Sequence, residues 1–131
     1  MAERKRALFR EALRRARPER VLEIGPGPGT NLAHLPEGVA YLALEPNPFF
    51  HPRLREEARK RGLALTLLPG RAEAIPLPGG SVDLVVATRP GQWLRRPAQA
   101  ARRLRQELLA EPLVALHLHG TAVSLLGMQV M

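Results

Sequence analysis

Residues 21–29 read Val-Leu-Glu-Ile-Gly-Pro-Gly-Pro-Gly, an apolar strand that runs straight into three glycines spaced two apart. A second apolar run, Tyr41-Leu42-Ala43-Leu44, ends in Glu45. Strand, glycine loop, strand and terminal acid in this order confine the chain to an open, doubly wound α/β sheet, with a ligand at the carboxyl ends of the strands. Gly25, Gly27 and Gly29 allow a tight turn and a close approach of backbone to that ligand. Glu45 offers two acceptor oxygens, which suit the two hydroxyls of a ribose. The ligand is therefore expected to contain a nucleoside.

The loop separates two cofactor classes. A dinucleotide fingerprint, G-x-G-x-x-G, begun at Gly25 needs a glycine at position 30, where the chain has Thr30. A pyrophosphate also requires free backbone N–H groups at a helix N-terminus, and Pro26 and Pro28 remove two of them. S-adenosylmethionine carries no phosphate and has a positive sulfonium, so Glu23 beside the loop fits it better. The plainer alternative is a Gly/Pro-rich turn that only joins strand to helix.

Four stretches resemble the class I S-adenosylmethionine-dependent methyltransferases: Val21–Leu32, Leu44–Pro48, Gly70–Pro78 and Ser81–Val86. The likeness is strongest to the small-molecule branch, namely the ubiquinone/menaquinone-biosynthesis and thiol-methyltransferase-like proteins. The resemblance implies that the glycine loop, with Gly25, Gly27 and Gly29, holds the methionine moiety and that Glu45 holds the ribose, while Glu23 is expected at the cofactor through its charge. It further implies that Ala72 and Glu73 line the adenine pocket. Arg71 stands where relatives commonly carry an aspartate.

The pattern along the chain fits that family. Apolar positions Ala7, Leu8, Ala12 and Leu13 among arginines predict a basic N-terminal helix within residues 1–17, ended before Pro18. Strands are expected at Arg20–Ile24, Val39–Glu45, Leu63–Leu68, Asp83–Ala87 and Leu113–His119. Helices are expected at Asn31–Leu35, capped by Thr30, at Phe50–Arg61, closed by Gly62, and at about Pro97–Leu109. Strand–helix alternation at this spacing means right-handed crossovers. The expected fold is a single domain over 1–131: a three-layer α/β/α Rossmann-like methyltransferase fold, mostly parallel, in the order 3-2-1-4-5. It is expected to lack the family's final hairpin, with residues 89–131 diverged or truncated.

Composition narrows the function classes. With no cysteine there is no disulfide, no thiolate metal site and no cysteine nucleophile. Nothing approaches an 18-residue apolar run and the N-terminus is a charged helix, so a cytoplasmic protein with no membrane partner is expected. The net charge is +8, concentrated in residues 1–20 and 89–111, and Lys5 and Lys60 are the only lysines. A nucleic-acid or acidic-substrate surface would carry such charge. Solvated helix faces in an arginine-rich composition explain it as well, and one Trp with one Tyr gives little for stacking bases.

Methyl transfer from a sulfonium needs alignment more than covalent help, and no catalytic residue is assigned. His51, at a helix start near the expected site, is the candidate base if the acceptor must lose a proton. His117 and His119 share one strand face, but no carboxylate or cysteine completes a metal set, so no metal is expected. Asp83 is read as a hydrogen-bonding residue at the base of its strand; Thr88 is expected to face the region where the family places its acceptor, and its neighbour Arg89 to attract an anionic substrate. The leading reading is methylation of a small molecule. The rivals are a cofactor-binding module without activity and an RNA methyltransferase. A sheet ending at Leu113–His119 would expose an edge, with apolar Val123, Leu125, Leu126, Met128 and Val130 beyond it, which predicts a homodimer through the C-terminal segment.

Overall fold

The computed structural model describes residues 2–68, 82–87, 115–119 and 122–125. Helix α1 (Ala2–Ala16) leads into β1 (Arg20–Ile24) and a 3₁₀ turn at Thr30–His34. Strand β2 (Ala40–Leu44), a second 3₁₀ turn (Pro48–Phe50), α2 (His51–Lys60) and β3 (Ala64–Leu67) follow. The remaining strands are β4 (Leu84–Ala87), β5 (Ala115–His119) and β6 (Ala122–Leu125). The sheet order is β3-β2-β1-β4-β5-β6. Strands β1 to β5 pair in parallel, as the strand–helix alternation requires, whereas β6 runs antiparallel to β5 with Leu116 opposite Leu125 and His119 opposite Ala122.

That sixth strand corrects one expectation. Strand β5 is paired on both sides, with β4 and with β6, so it is not the bare edge on which a homodimer was argued. The expected helix at about 97–109 lies outside the described residues.

Side-chain alternation gives the sheet two buried faces. On one, Val21, Tyr41, Ala43, Leu84 and Val86 join Phe9 and Ala12 of α1, Leu32 and Leu35 beside the first 3₁₀ turn, and Leu54 and Ala58 of α2 in one apolar cluster. On the other face Leu22, Ile24, Leu44 and Val85 are equally buried. Burial of both faces is what a continuous apolar strand such as Val-Leu-Glu-Ile demands. The inward stripe of α1 is Phe9, Ala12, Leu13 and Ala16, at helical spacing, while Ala7 is exposed. Phe9 stacks on the half-buried His34 with ring centroids 4.6 Å apart.

One cap assignment changes and one holds. The turn after the glycine loop is 3₁₀, and its cap is Gly29 in the left-handed region, with no side-chain cap bond from Thr30. Only a few residues fit between Gly29 and Pro36, too few for an α-helical turn to repeat. Gly62 (φ +67) does lie just past the end of α2, where Leu63 N–H donates to Ala58 O and Arg61 N–H to Glu57 O, a left-handed helix stop.

Candidate functional site

Register brings the strand tips together: Ile24 pairs with Leu44 of β2 on one side and with Ala87 of β4 on the other. The chain turns from β1 to β2 and β3 on one side, and continues through β4 and β5 on the other. Between β1 and β4 the strand order reverses, the place where open α/β sheets leave a crevice for ligand. The glycine loop starts at that point.

Each glycine has its own reason. Gly25 (φ +66) turns the chain off β1, and its N–H donates to Leu44 O at 2.9 Å, tying the loop to the tip of β2. Gly27 (φ +59) donates its N–H to Glu45 Oε1 at 2.7 Å, and a Cβ there would meet nothing within 4 Å. Gly29 (φ +89) donates to Pro26 O, and a Cβ there would lie 3.1 Å from Leu54 Cδ2. Gly29 is thus required by backbone conformation and by the packing of α2. Gly27 borders open space.

These bonds settle what the loop can offer. Pro26 and Pro28 have no N–H, and those of Gly25, Gly27 and Gly29 are all spent inside the protein. Between residues 25 and 29 no backbone donor is left for a phosphate, so the loop is no anion nest.

Glu45 is 2% exposed. Its Oε1 accepts from Gly27 N–H and its Oε2 from Asn47 N–H, at 2.7 and 2.9 Å. Two charge-assisted bonds clamp the loop of β1 to the turn of β2. Asn47 in turn caps the next turn, its Oδ1 accepting from Phe49 N–H at 3.0 Å, with Pro48 following. His51 donates from Nε2 to Glu45 O at 2.8 Å, which fixes its tautomer and ties it to the same turn.

Glu23 is placed differently from a surface acid beside the loop. It is 1% exposed and points into the sheet's core. Its Oε1 accepts from the Tyr41 hydroxyl and its Oε2 from Asn31 Nδ2 at 2.6 Å. Tyr41 faces Val21 in register, two residues along the ladder from Glu23 on the same face, so its ring reaches diagonally to the carboxylate. Burial, and then the nearby Glu23 carboxylate, hold the Tyr41 phenol well above its ordinary range. Glu23 therefore links β1, β2 and the 3₁₀ turn after the loop.

Asp83 Oδ2 accepts from Glu19 and Arg20 N–H at 3.0 and 3.1 Å, at the end of the sheet opposite the loop. It is a structural anchor for β1, as its position suggested. Ala72, Glu73, Thr88 and Arg89 lie outside the described residues. Asn31, Tyr41 and Asn47 were missed by sequence reasoning, although Asn47-Pro48 carries the signature of a capped turn. No group of three or more His, Cys, Asp or Glu able to hold a metal occurs among the described residues.

Comparison with known proteins agrees with this geometry. A family model described as a methyltransferase domain matches residues 22–111. Similar solved structures include the YcgJ protein from Bacillus subtilis, at 20% identity and a TM-score of 0.69, covering 88% of this chain and 50% of that one. A SAM dependent methyltransferase from Aquifex aeolicus is 22% identical with a TM-score of 0.58, covering 75% of this chain and 54% of that one. The [4+2]-cyclase SpnF is 18% identical with a TM-score of 0.68, covering 86% and 43%. The chain thus spans about half the length of the solved structures it matches. A search of the curated proteins found no match.

Proposed function

The chain belongs to the methyltransferase domain family, and from that premise we propose that it binds S-adenosylmethionine at the carboxyl ends of β1 and β2 and passes the methyl group to a small-molecule acceptor. The observation that carries this reading is the glycine loop: its N–H groups are turned inward while Gly27 borders open space. A ligand that needs backbone approach but brings no phosphate fits such a cradle. When bound, S-adenosylmethionine would supply an electrophilic methyl on a positive sulfur, ready for in-line displacement.

The protein's own residues then have distinct parts. Gly25 and Gly27 keep the loop thin enough for close approach. Glu45, held on both oxygens, retains lone pairs for ribose hydroxyls, since a carboxylate has about four acceptor positions. Glu23 acts from beneath through Asn31, fixing where the loop turns and leaving a negative charge under the cationic ligand. Ala72 and Glu73 complete the adenine side in this reading. With orientation as the main contribution, no side chain need form a bond to the substrate.

Family fold does not dictate chemistry, since one similar structure, SpnF, is a [4+2]-cyclase. Turnover must therefore be measured separately from binding. Incubation with methyl-labelled cofactor and a panel of small acceptors tests the proposal: label moves to an acceptor if it holds. Binding without transfer would favour the inactive module, and transfer only to RNA would favour the RNA reading. The proposal also places the protein in the cytoplasm, which fractionation checks; no helix among the described residues is long and apolar enough to cross a membrane. A homodimer through the C-terminal segment, by strand pairing or exchange, remains part of the proposal, and sedimentation tests it.

A further inference from the structure

Strand β3 forms one edge of the sheet. The N–H groups of Ala64 and Leu68 point inward, donating to Val39 O and Ala43 O of the β2 side. Backbone groups alternate along a strand, so the N–H and C=O of Leu65 and Leu67 point away from the sheet. The strand reads Ala-Leu-Thr-Leu, with no proline, lysine or glycine to blunt it. Natural edges usually carry such residues, and Ala64–Leu67 has none.

Beside that edge lies a groove of about 480 Å³ lined by Arg55, Ala58, Arg59, Leu63, Leu65 and Leu67. Its floor is apolar: Ala58 and Leu63 belong to the core, and Leu65 and Leu67 are half-buried against it. Its rim is cationic. Arg59 is held by Glu56 at 2.7 Å, whereas Arg55 is exposed and has no ion-pair partner among the described residues. Among the described residues, outward backbone groups without a partner, an apolar trough on the same face as Leu65 and Leu67, and an unpaired guanidinium above it define one kind of occupant.

We propose that β3 is a docking edge for an extended, acidic segment of another protein, which adds a strand to the sheet by β-augmentation. Four backbone groups of Leu65 and Leu67 pair with the incoming strand. Because its side chains alternate, those on the groove face recur at every second position. The segment therefore carries an apolar side chain for the trough and, two positions away, a carboxylate for Arg55. Pairing with a second copy of this chain is disfavoured by the same charges. Antiparallel β3–β3 pairing would keep both grooves on one face and set arginine rims side by side, each on a chain of net charge +8.

Selection of short random peptides displayed on phage against the full chain tests this. The expected winners carry Asp or Glu two positions from a branched or aromatic apolar residue. A synthetic peptide of the winning sequence should bind Arg55→Glu at least about tenfold more weakly, the scale of one charge pair turned repulsive. Leu67→Pro removes an outward N–H while leaving the β2 ladder intact, as proline on an edge strand can. It should abolish binding, with Leu67→Ala as the control for the lost side chain. Should the proline variant fail to fold, hydrogen exchange of the wild type with peptide decides: the Leu65 and Leu67 amides must become protected. Winners without acidic residues, wild-type affinity in Leu67→Pro or Arg55→Glu, or unchanged exchange would each overturn the proposal. So would a dimer in sedimentation that Leu67→Pro disperses.

Discussion

Replacing Glu45 by alanine is expected to weaken the fold as well as the ligand site. The side chain is buried, and each oxygen accepts one backbone N–H, from Gly27 and from Asn47. Hydrogen bonds to a charged acceptor contribute about 1.5–3 kcal/mol each. Asn47 is exposed and Gly27 half-buried, so water can partly replace the carboxylate, and the low end applies to both. The sum is about 3 kcal/mol, a large part of the roughly 5–15 kcal/mol that holds a domain together. With a urea slope of about 2 kcal/mol per molar, the midpoint should fall by about 1.5 M. Glu45→Gln keeps one acceptor but turns an amide donor toward the other N–H, so it should lose about half as much. Equilibrium unfolding by circular dichroism measures both. A loss under about 1 kcal/mol in Glu45→Ala, or wild-type stability in Glu45→Gln, would refute the clamp. Ligand affinity is then compared under conditions where both variants are folded.

Tyr41→Phe deprives buried Glu23 of a donor and should cost about 1.5–3 kcal/mol in urea unfolding; wild-type stability would show that the phenol bond contributes nothing. Because the Tyr41 phenol is held above its ordinary value, the folded state keeps a proton that the unfolded state loses. This contribution is complete below about pH 10, the unfolded phenol value, and is lost as pH rises toward the folded one. Tyr41 is the only tyrosine, so phenolate absorbance should rise with unfolding rather than before it. Gly29→Ala should destabilise by about 1–3 kcal/mol through a positive φ and the Leu54 contact. Gly27→Ala, strained but uncrowded, should lose cofactor affinity more than its stability predicts; equal losses in both variants would count against a cradle at Gly27.

What the residues disclosed depended on how local the cause was. Strand β1 matches its expected bounds because Pro18 and Gly25 fence a short apolar run, and β2 was trimmed by one residue at each end. The meeting of Glu45 with the loop followed from two parallel strands with tips in register. The inward turn of Glu23 did not, because it depends on a phenol from the neighbouring strand and an amide from the following turn. A clue was present: in Val-Leu-Glu-Ile an acid inside an apolar strand must find buried donors, and Tyr41 and Asn31 are the polar groups that supply them. Phe9 was passed over although it shares the helical stripe of Ala12, Leu13 and Ala16; only its stacking on His34 lies beyond what a helical period reveals. Residues 121–131 leave room for one short strand, but the antiparallel pairing of β6 could not be read from Ala-Val-Ser-Leu alone, since it is decided by the edge that β5 presents.

Isothermal titration of the protein with S-adenosylmethionine tests the central claim most directly, with a nicotinamide dinucleotide titrated in parallel. The account predicts saturable one-to-one binding of S-adenosylmethionine, weakened in Glu45→Ala and Gly27→Ala, and no heat from the dinucleotide. Binding of the dinucleotide in its place, or S-adenosylmethionine affinity untouched by both substitutions, would contradict it.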